Sequence, residues 1–210
     1  MSRGTALDEE DCATNPFVQF HEWFDETKDD TPESEAVALV TSTLDGRPSA
    51  RMVLLRHVDD RSFGWYTNYE SRKGHELEVN PHAALLWYNA ARGRQIRVEG
   101  AVTKMSEPES DAYFASRARG HQLSAHASAQ SQLLESRKEL EDRVCDLEVR
   151  FAGEAVPRPQ HWGGYLLAPT AFEFWQHRED RLHDRVRYTR PEGWTGEGGG
   201  EGWLRQRLAP

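Results

Sequence analysis

Cysteine is nearly absent: the 210 residues hold two, Cys12 and Cys145, in unlike contexts. That usage excludes a disulfide scaffold and a cysteine-based metal ladder, and it predicts a reducing, cytoplasmic compartment. The nine histidines form no H-E-x-x-H pattern, so no metal is expected. A G-x-S-x-G elbow is missing too, which removes the usual serine hydrolase. Long apolar runs are lacking. Stretches such as Ala83 to Tyr88 fall far short of the roughly 18 residues that a membrane span needs, and no signal-type apolar core opens the chain. Positive charge is in deficit, with a formal net charge of −9. This balance argues against general nucleic-acid binding, which needs a broad basic footprint, so any anion site must be local. What remains is non-metal chemistry in a soluble protein, with room for a borrowed cofactor.

With no obvious linker, one domain is expected. Residues 1–14 are polar, acidic and aperiodic, and predict a disordered arm or one that orders on a partner. Residues 15–210 form the single body. Asn15-Pro16 reads as N-cap and first helical position, with Phe17, Phe20 and Phe24 at helical spacing and Trp23 alongside. Residues 27–35 make an acidic loop. Strands are then predicted over Ala36 to Thr43, Ser49 to His57 and Phe63 to Asn68, separated by turns at Asp45-Gly-Arg-Pro48 and Asp59-Asp-Arg-Ser62. Ser71 can cap a short helix that Asn80-Pro81 must end. Ala83 to Tyr88 reads as a buried strand. From Arg94 to Lys104, Ile96, Val98 and Val102 alternate with Gln95, Arg97, Glu99 and Thr103, so one face meets the core and the other water or a ligand.

Capping boxes at Ser106-Glu-Pro-Glu109 and Ser136-Arg-Lys-Glu139 open two further helices. The first places Tyr113 and Arg117 on one face. The second carries an apolar stripe of Leu140, Val144, Leu147 and Phe151, suited to core or dimer contact. Trp162 to Leu167 and Ala171 to Trp175 read as two more strands. Arg185 to Tyr188 and Trp203 to Leu208 suggest a closing hairpin around Gly196-Glu-Gly-Gly-Gly-Glu-Gly202, which lacks the Lys-Ser/Thr of a phosphate loop and reads as a flexible tip. Strand spacing with few helices predicts a β-rich α+β protein, an antiparallel barrel with peripheral helices.

The chemistry concentrates in Arg51-Met-Val-Leu-Leu-Arg56 and Trp65-Tyr-Thr-Asn-Tyr-Glu-Ser-Arg-Lys-Gly74. Two arginines bracket an apolar strand, and a Ser-Arg-Lys-Gly cluster stands where a helix should start. Arginine forks, a lysine point charge and helix N-terminal N–H groups together suit a phosphate. Spacing alone also allows a basic strand edge solvated by water.

These blocks resemble the pyridoxamine 5'-phosphate oxidase family, FMN enzymes of the split-barrel fold. The resemblance runs from about Asn15 to Pro210 and includes Arg94-Gln-Ile-Arg-Val-Glu-Gly100, Tyr113-Phe-Ala-Ser-Arg117, Gln130-Ser131, Trp162-Gly-Gly, Glu173-Phe-Trp-Gln176, Arg181-Leu-His-Asp-Arg185 and the terminal Arg-Leu-Ala-Pro. It implies an antiparallel split β-barrel with sites between two subunits of a homodimer. Implied FMN contacts fall on Arg51, Met52, Val53, Leu54, Tyr66, Thr67, Arg72, Lys73, Gln95, Gln130, Ser131, Trp175 and Arg185. The residue types agree: Arg51, Arg72 and Lys73 suit a phosphate, the glutamines the polar edge of a flavin, and Trp175 its apolar cover.

Implied substrate positions are Arg56, Tyr113, Arg117, His121, Arg181 and His183, with Arg181 and His183 as the catalytic pair. If that stretch is extended, Arg181 and His183 point the same way. The implied reaction oxidises pyridoxine or pyridoxamine 5'-phosphate to pyridoxal 5'-phosphate, with dioxygen reduced to hydrogen peroxide. The chain departs from the family pattern at Arg56, where lysine is usual, at His121, where serine is usual, at His126, where tryptophan is common, and in lacking an Arg-Arg-x-Tyr motif in residues 1–14. A related branch, the phenazine-biosynthesis flavin oxidases acting on a tricyclic carboxylate, is similar in the Gly120-His-Gln-Leu-Ser124 stretch. A non-catalytic flavin-binding protein on the same barrel is the third reading, since fold does not fix function.

Overall fold

Among the described residues, well-placed turns, with period-two burial in strands such as β1 and β2, give nine strands in one antiparallel sheet: β1 (Ala36–Ser42), β2 (Pro48–Leu54), β3 (His57–Val58), β4 (Phe63–Asn68), β5 (His82–Asn89), β6 (Arg94–Lys104), β7 (Trp162–Gln176), β8 (Asp184–Thr189) and β9 (Leu204–Arg207). The computed structural model describes residues 6–27, 34–191 and 202–210. Among them five α-helices surround the sheet: α1 (Pro16–Asp25), α2 (Arg72–Val79), α3 (Glu107–Ser116), α4 (Arg119–Ala127) and α5 (Arg137–Arg150).

The strand order is β2-β1-β5-β6-β7-β4-β3, with β8 on β7 and β9 on β8. The stretch from Ser49 to His57, expected as one strand, breaks after Leu54 because the chain changes partners there. Leu55 N–H donates to Glu35 beside β1, and Arg56 N–H donates to Gly64 in β4. Consecutive residues thus bond to opposite ends of the strand order, which curls the sheet into a split barrel. β7 runs unbroken where two strands were expected. One of its edges pairs with β6, while the other takes β4 along Trp162 to Leu167 and β8 along Ala171 to Gln176. Pro169 sits at that exchange, beside a register shift in β6 between Glu99 and Gly100. A residue without an N–H costs least at such an interruption.

Asn15 caps α1 by accepting the Phe17 N–H at 2.9 Å, and Pro16 occupies the first turn. The buried face of Phe17, Phe20, Trp23 and Phe24 packs on Phe63, Trp87, Phe172 and Phe174, with ring centroids 4.7 to 6.0 Å apart. Each such side chain contributes about 1.5–3 kcal/mol through burial. A smaller core of Phe114, Leu123, Phe151, Val156 and Trp162 joins the other helices to the start of β7. The α4 helix had no signal: Ala118 makes no side-chain cap. Ser136 caps α5, but Glu139 accepts from Glu135 N–H rather than closing a reciprocal box. No α5 residue is fully buried, and Leu140, Val144 and Leu147 are only partly covered within the chain.

The composition of the N-terminal stretch suggested an arm that is disordered or that orders on a partner. Over residues 6–14 it lies against the C-terminal hairpin, with Leu7 and Cys12 buried. Tyr188 donates to the Ala13 carbonyl at 2.7 Å, Arg205 to that of Cys12, and Arg207 to that of Leu7 at 3.0 Å. The two apolar residues and these backbone acceptors outweigh the polar composition. β8 and β9 form the expected closing hairpin, while residues 192–201 of its tip lie outside the described residues. Cys12 and Cys145 are both free, and no helix among the described residues is long and apolar enough to cross a membrane.

Candidate active site

The Ser-Arg-Lys-Gly cluster does open a helix. Ser71 caps α2 and accepts the Gly74 N–H at 3.4 Å. Glycine is required there, since a Cβ at position 74 would stand 1.8 Å from the Tyr69 carbonyl oxygen. Lys73 is buried, and its Nζ donates to Gln130 Oε1 at 2.7 Å and to the hydroxyls of Thr67 and Ser71 at 3.0 Å each. Burial, and then the charge of Arg51, depress its pKa to about 8, with Glu76 only partly offsetting them.

Glu76, one turn further along α2, organises the remaining cations. Its carboxylate accepts from Thr41, from Ser49 at 2.6 Å, from Arg72 Nε at 2.9 Å and from Arg51 Nη2 at 3.5 Å. Burial works against this charge. The hydroxyls of Ser49 and Thr41, then Arg72 and Arg51, overcome it and hold the pKa at about 2. Arg51 also donates to the Leu39 carbonyl at 3.2 Å and the Thr41 hydroxyl at 2.6 Å, which fixes its fork on the face of β2.

This cradle forms one wall of a cavity of about 770 Å³. The cavity collects Arg51, Met52, Val53, Leu54, Arg56, Tyr66, Thr67, Arg72, Lys73, Tyr113, Arg117, His121, Gln130 and Ser131, together with Trp162. Tyr66, Tyr113 and Trp162 stack nearly parallel: Tyr66 lies 3.7 Å from Tyr113 at 8° and 5.5 Å from Trp162 at 9°. Arg117 is not on the helical face with Tyr113. It caps α3 in extended conformation, and its guanidinium lies 4.6 Å over Trp162. Among the described residues its buried Nη1 has no hydrogen-bond partner, and burial lowers its pKa. A half-buried cation whose inner nitrogen has no carboxylate partner suits an anion. Arg56 reaches the same cavity but is already ion-paired with Glu35.

Five expected residues, Gln95, Trp175, Arg181, His183 and Arg185, do not line this cavity. They gather around the C-terminal half of β7. Trp175 pairs in register with Gln95 on one side and Arg185 on the other. Arg185 is held by the buried Glu173 at 2.9 Å, which raises its pKa and also binds Arg97 at 2.8 Å. Arg181 and His183 are not in an extended segment, so the alternation argument does not apply. Glu179–Arg181 is a 3-10 turn in which Asp180 and Arg181 have φ of 55° and 63°, and β8 starts only at Asp184. Arg178 N–H donates to His183 Nδ1 at 3.0 Å, and the His183 ring lies 4.7 Å from Trp175.

Ser49, Glu76, Trp162 and Glu173 are the residues that sequence reasoning left without a role. Glu76 had a signal in its i,i+4 spacing from Arg72. Trp162 and Glu173 stood in quoted motifs, but nothing local shows that one ring closes the aromatic stack or that one carboxylate holds two arginines.

A curled antiparallel barrel bearing a cationic cradle beside an aromatic stack defines the FMN-binding split-barrel class. The solved structure of a pyridoxamine 5'-phosphate oxidase-related, FMN-binding protein from Nostoc punctiforme shares that fold, with a TM-score of 0.71, 18% identity and coverage of 93% of this chain and 97% of that one. Within the class, residues 24–151 match the pyridoxamine 5'-phosphate oxidase model and residues 162–210 match the pyridoxine 5'-phosphate oxidase C-terminal dimerisation region. The chain belongs to the pyridoxine/pyridoxamine 5'-phosphate oxidase family, a family of FMN-dependent oxidoreductases. It is 51% identical over 206 residues to the pyridoxine/pyridoxamine 5'-phosphate oxidase of Burkholderia vietnamiensis, covering 98% of this chain and 94% of the relative. It is 52% identical over 205 residues to that of Rubrobacter xylanophilus, covering 97% and 91%. PhzG from Burkholderia lata, solved with tetrahydrophenazine-1-carboxylic acid, matches with a TM-score of 0.88 at 32% identity, covering 99% of this chain and 100% of that one.

Proposed function

We propose that this chain is an FMN-dependent oxidase that converts pyridoxine or pyridoxamine 5'-phosphate to pyridoxal 5'-phosphate in the cytoplasm, with dioxygen reduced to hydrogen peroxide. The observation that carries the reading is the presence of two separate cationic positions in one cavity, Arg51/Arg72/Lys73 on one wall and the unpaired Arg117 on another, with stacked rings beside them. One cavity with two anion positions fits a phosphorylated cofactor together with a phosphorylated substrate.

FMN fits the residues present. Lys73 and Arg51 are already oriented and partly desolvated, and Lys73 carries a depressed pKa that a dianion would relieve. Arg51, Arg72 and Lys73 would hold its phosphate, and Met52 to Leu54, Tyr66, Thr67, Gln130 and Ser131 its remainder. When bound, FMN supplies the hydride acceptor and the route of electrons to dioxygen. Arg117 and Tyr113 would hold the substrate phosphate, and Arg56 can join them only by leaving Glu35. The site is half complete in one chain. Gln95, Trp175, Arg181, His183 and Arg185 would come from a second copy in a homodimer, a reading supported by the family dimerisation region and by the uncovered stripe of α5.

The likeness to PhzG supports a second reading, in which Arg117 and His121 receive the carboxylate of a tricyclic substrate. Anaerobic mixing of purified protein with pyridoxine 5'-phosphate decides between them. Bleaching of the yellow flavin band is expected. No bleaching with this substrate, but bleaching with a reduced phenazine carboxylate, would transfer the assignment; bleaching with neither would leave a flavin-binding protein.

A further inference from the structure

We propose that His183 is held as its Nε2–H tautomer and meets the ligand as a hydrogen-bond donor rather than as a proton acceptor, with Asp184 as the positioning residue that keeps its turn in place. This assignment of roles rests on the reading that His183 belongs to the active site; the tautomer itself rests on backbone geometry alone.

The Arg178 backbone N–H can only donate, so His183 Nδ1, 3.0 Å away, must accept. The ring proton of the neutral imidazole is then on Nε2. Protonating Nδ1 would break this bond and leave the Arg178 N–H without its acceptor. The surroundings oppose a charged ring as well. His183 faces Trp175 and His177 at the end of β7, Arg178 and Arg181 in its own turn, and Asp184 after it. Burial, then His177 and Arg181, lower its pKa, and Asp184 only partly opposes them.

The turn that makes this bond is strained, because Asp180 and Arg181 are consecutive left-handed residues that are not glycine. Such a turn persists only when neighbours hold it. Asp184 is where the holding contacts meet: it accepts from Leu7 N–H at 3.1 Å and from Arg207 Nη1 at 2.9 Å, and it pairs with Arg178 at 3.5 Å. Arg207 in turn binds Glu9 at 2.7 Å and Asp8 at 3.1 Å. The N-terminal segment and the last strand are therefore both fastened to the residue next to His183.

Long-range proton–nitrogen correlation spectra of the FMN-loaded protein, labelled with nitrogen-15 histidine and assigned by loss of signals in His183→Gln, test the tautomer without turnover. At pH 8, where the imidazole is neutral, the spectra should show Nδ1 unprotonated and Nε2 protonated. An Nδ1–H form, or an average of the two, would overturn the assignment. For positioning, Asp184→Asn should keep its FMN but exchange the Arg178 amide with solvent at least tenfold faster and average the two tautomers. An unchanged amide and spectrum would overturn the role of Asp184. For the donor role, His183→Gln, which retains a donor at the equivalent reach, should keep the KM for pyridoxine 5'-phosphate within tenfold, whereas His183→Leu should raise it more. Equal KM values would remove the donor role. A wild-type protein inert toward pyridoxine 5'-phosphate would instead remove the proposed function and leave the tautomer standing on its spectra.

Discussion

The cradle around α2 and the turn before β8 are built in opposite ways. The cradle uses regular elements: a capped helix start and β2, joined through one buried carboxylate, Glu76. The turn uses irregular backbone, with two left-handed residues fastened through Asp184 to both ends of the chain. One region gathers charge before a ligand arrives, and the other stores strain that distant contacts must hold. On the proposed function, a rigid site suits the cofactor phosphate, whereas closing over a substrate ring suits a segment whose order depends on its neighbours.

The largest effect should come from breaking the cradle at its centre. Glu76→Leu strands Arg51 and three further donors, and losing one partner of a buried charge network costs about 3–5 kcal/mol. The thermal midpoint should fall by about 10 °C. A shift of only a degree or two in a melting curve would show that the network is dispensable. Next comes Lys73→Met, which should leave the fold intact but weaken FMN binding by at least tenfold, about 1.5–3 kcal/mol for a lost charge-assisted contact. Arg72→Ala should follow with a smaller loss, since Arg72 is largely exposed while Lys73 is buried. Fluorescence titration with FMN would reveal the reverse order if the phosphate binds elsewhere than proposed.

The same lysine sets a pH dependence with a definite sign. With its folded-state pKa near 8 against an ordinary 10.5, the unfolded chain holds more protons between those values. The contribution of Lys73 to the stability of the FMN-free protein should therefore rise from pH 8 to about 10.5, and be at its least favourable below 8. FMN affinity should move the other way. A dianion prefers the charged lysine, so the dissociation constant should be flat from about pH 7 to 8, where the phosphate is already a dianion, and climb above 8, by up to about tenfold per unit. Lys73→Met should abolish that climb, and a slope that survives the substitution would assign the titration elsewhere.

In the turn, Arg181→Ala should retain FMN and slow anaerobic flavin reduction by pyridoxine 5'-phosphate about tenfold, on the order of 1.4 kcal/mol. Stopped-flow traces identical to wild type would place the turn outside the active site. The smallest effect is expected from Asp180→Gly. With φ at 55°, glycine relieves strain and should raise the melting midpoint by a few degrees, for a gain of up to about 1 kcal/mol. A lowered midpoint would show that the turn is not strained by its backbone.

Local patterns made much of this protein legible. The Asn15-Pro16 cap, the alternation in β6, the Ser71 and Ser106 caps and the dense Arg51 to Gly74 block are all written within a few neighbouring residues, because capping, pleating and charge clustering are short-range effects. They announced a β-rich barrel, every helix but α4, and a cluster of cations at the start of α2. What local patterns could not hold is where one element meets another. The Arg51–Glu76 and Arg97–Glu173 pairs, the stack of Trp162 on Tyr66, the bond from Leu55 back to Glu35, and the N-terminal residues on the last strand all join positions from 20 to 200 apart. Even the turn bearing Arg181 and His183 defied its alternation. A left-handed bend of two consecutive non-glycine residues has little local preference behind it, and the contacts beside it, at Asp184, come from both ends of the chain.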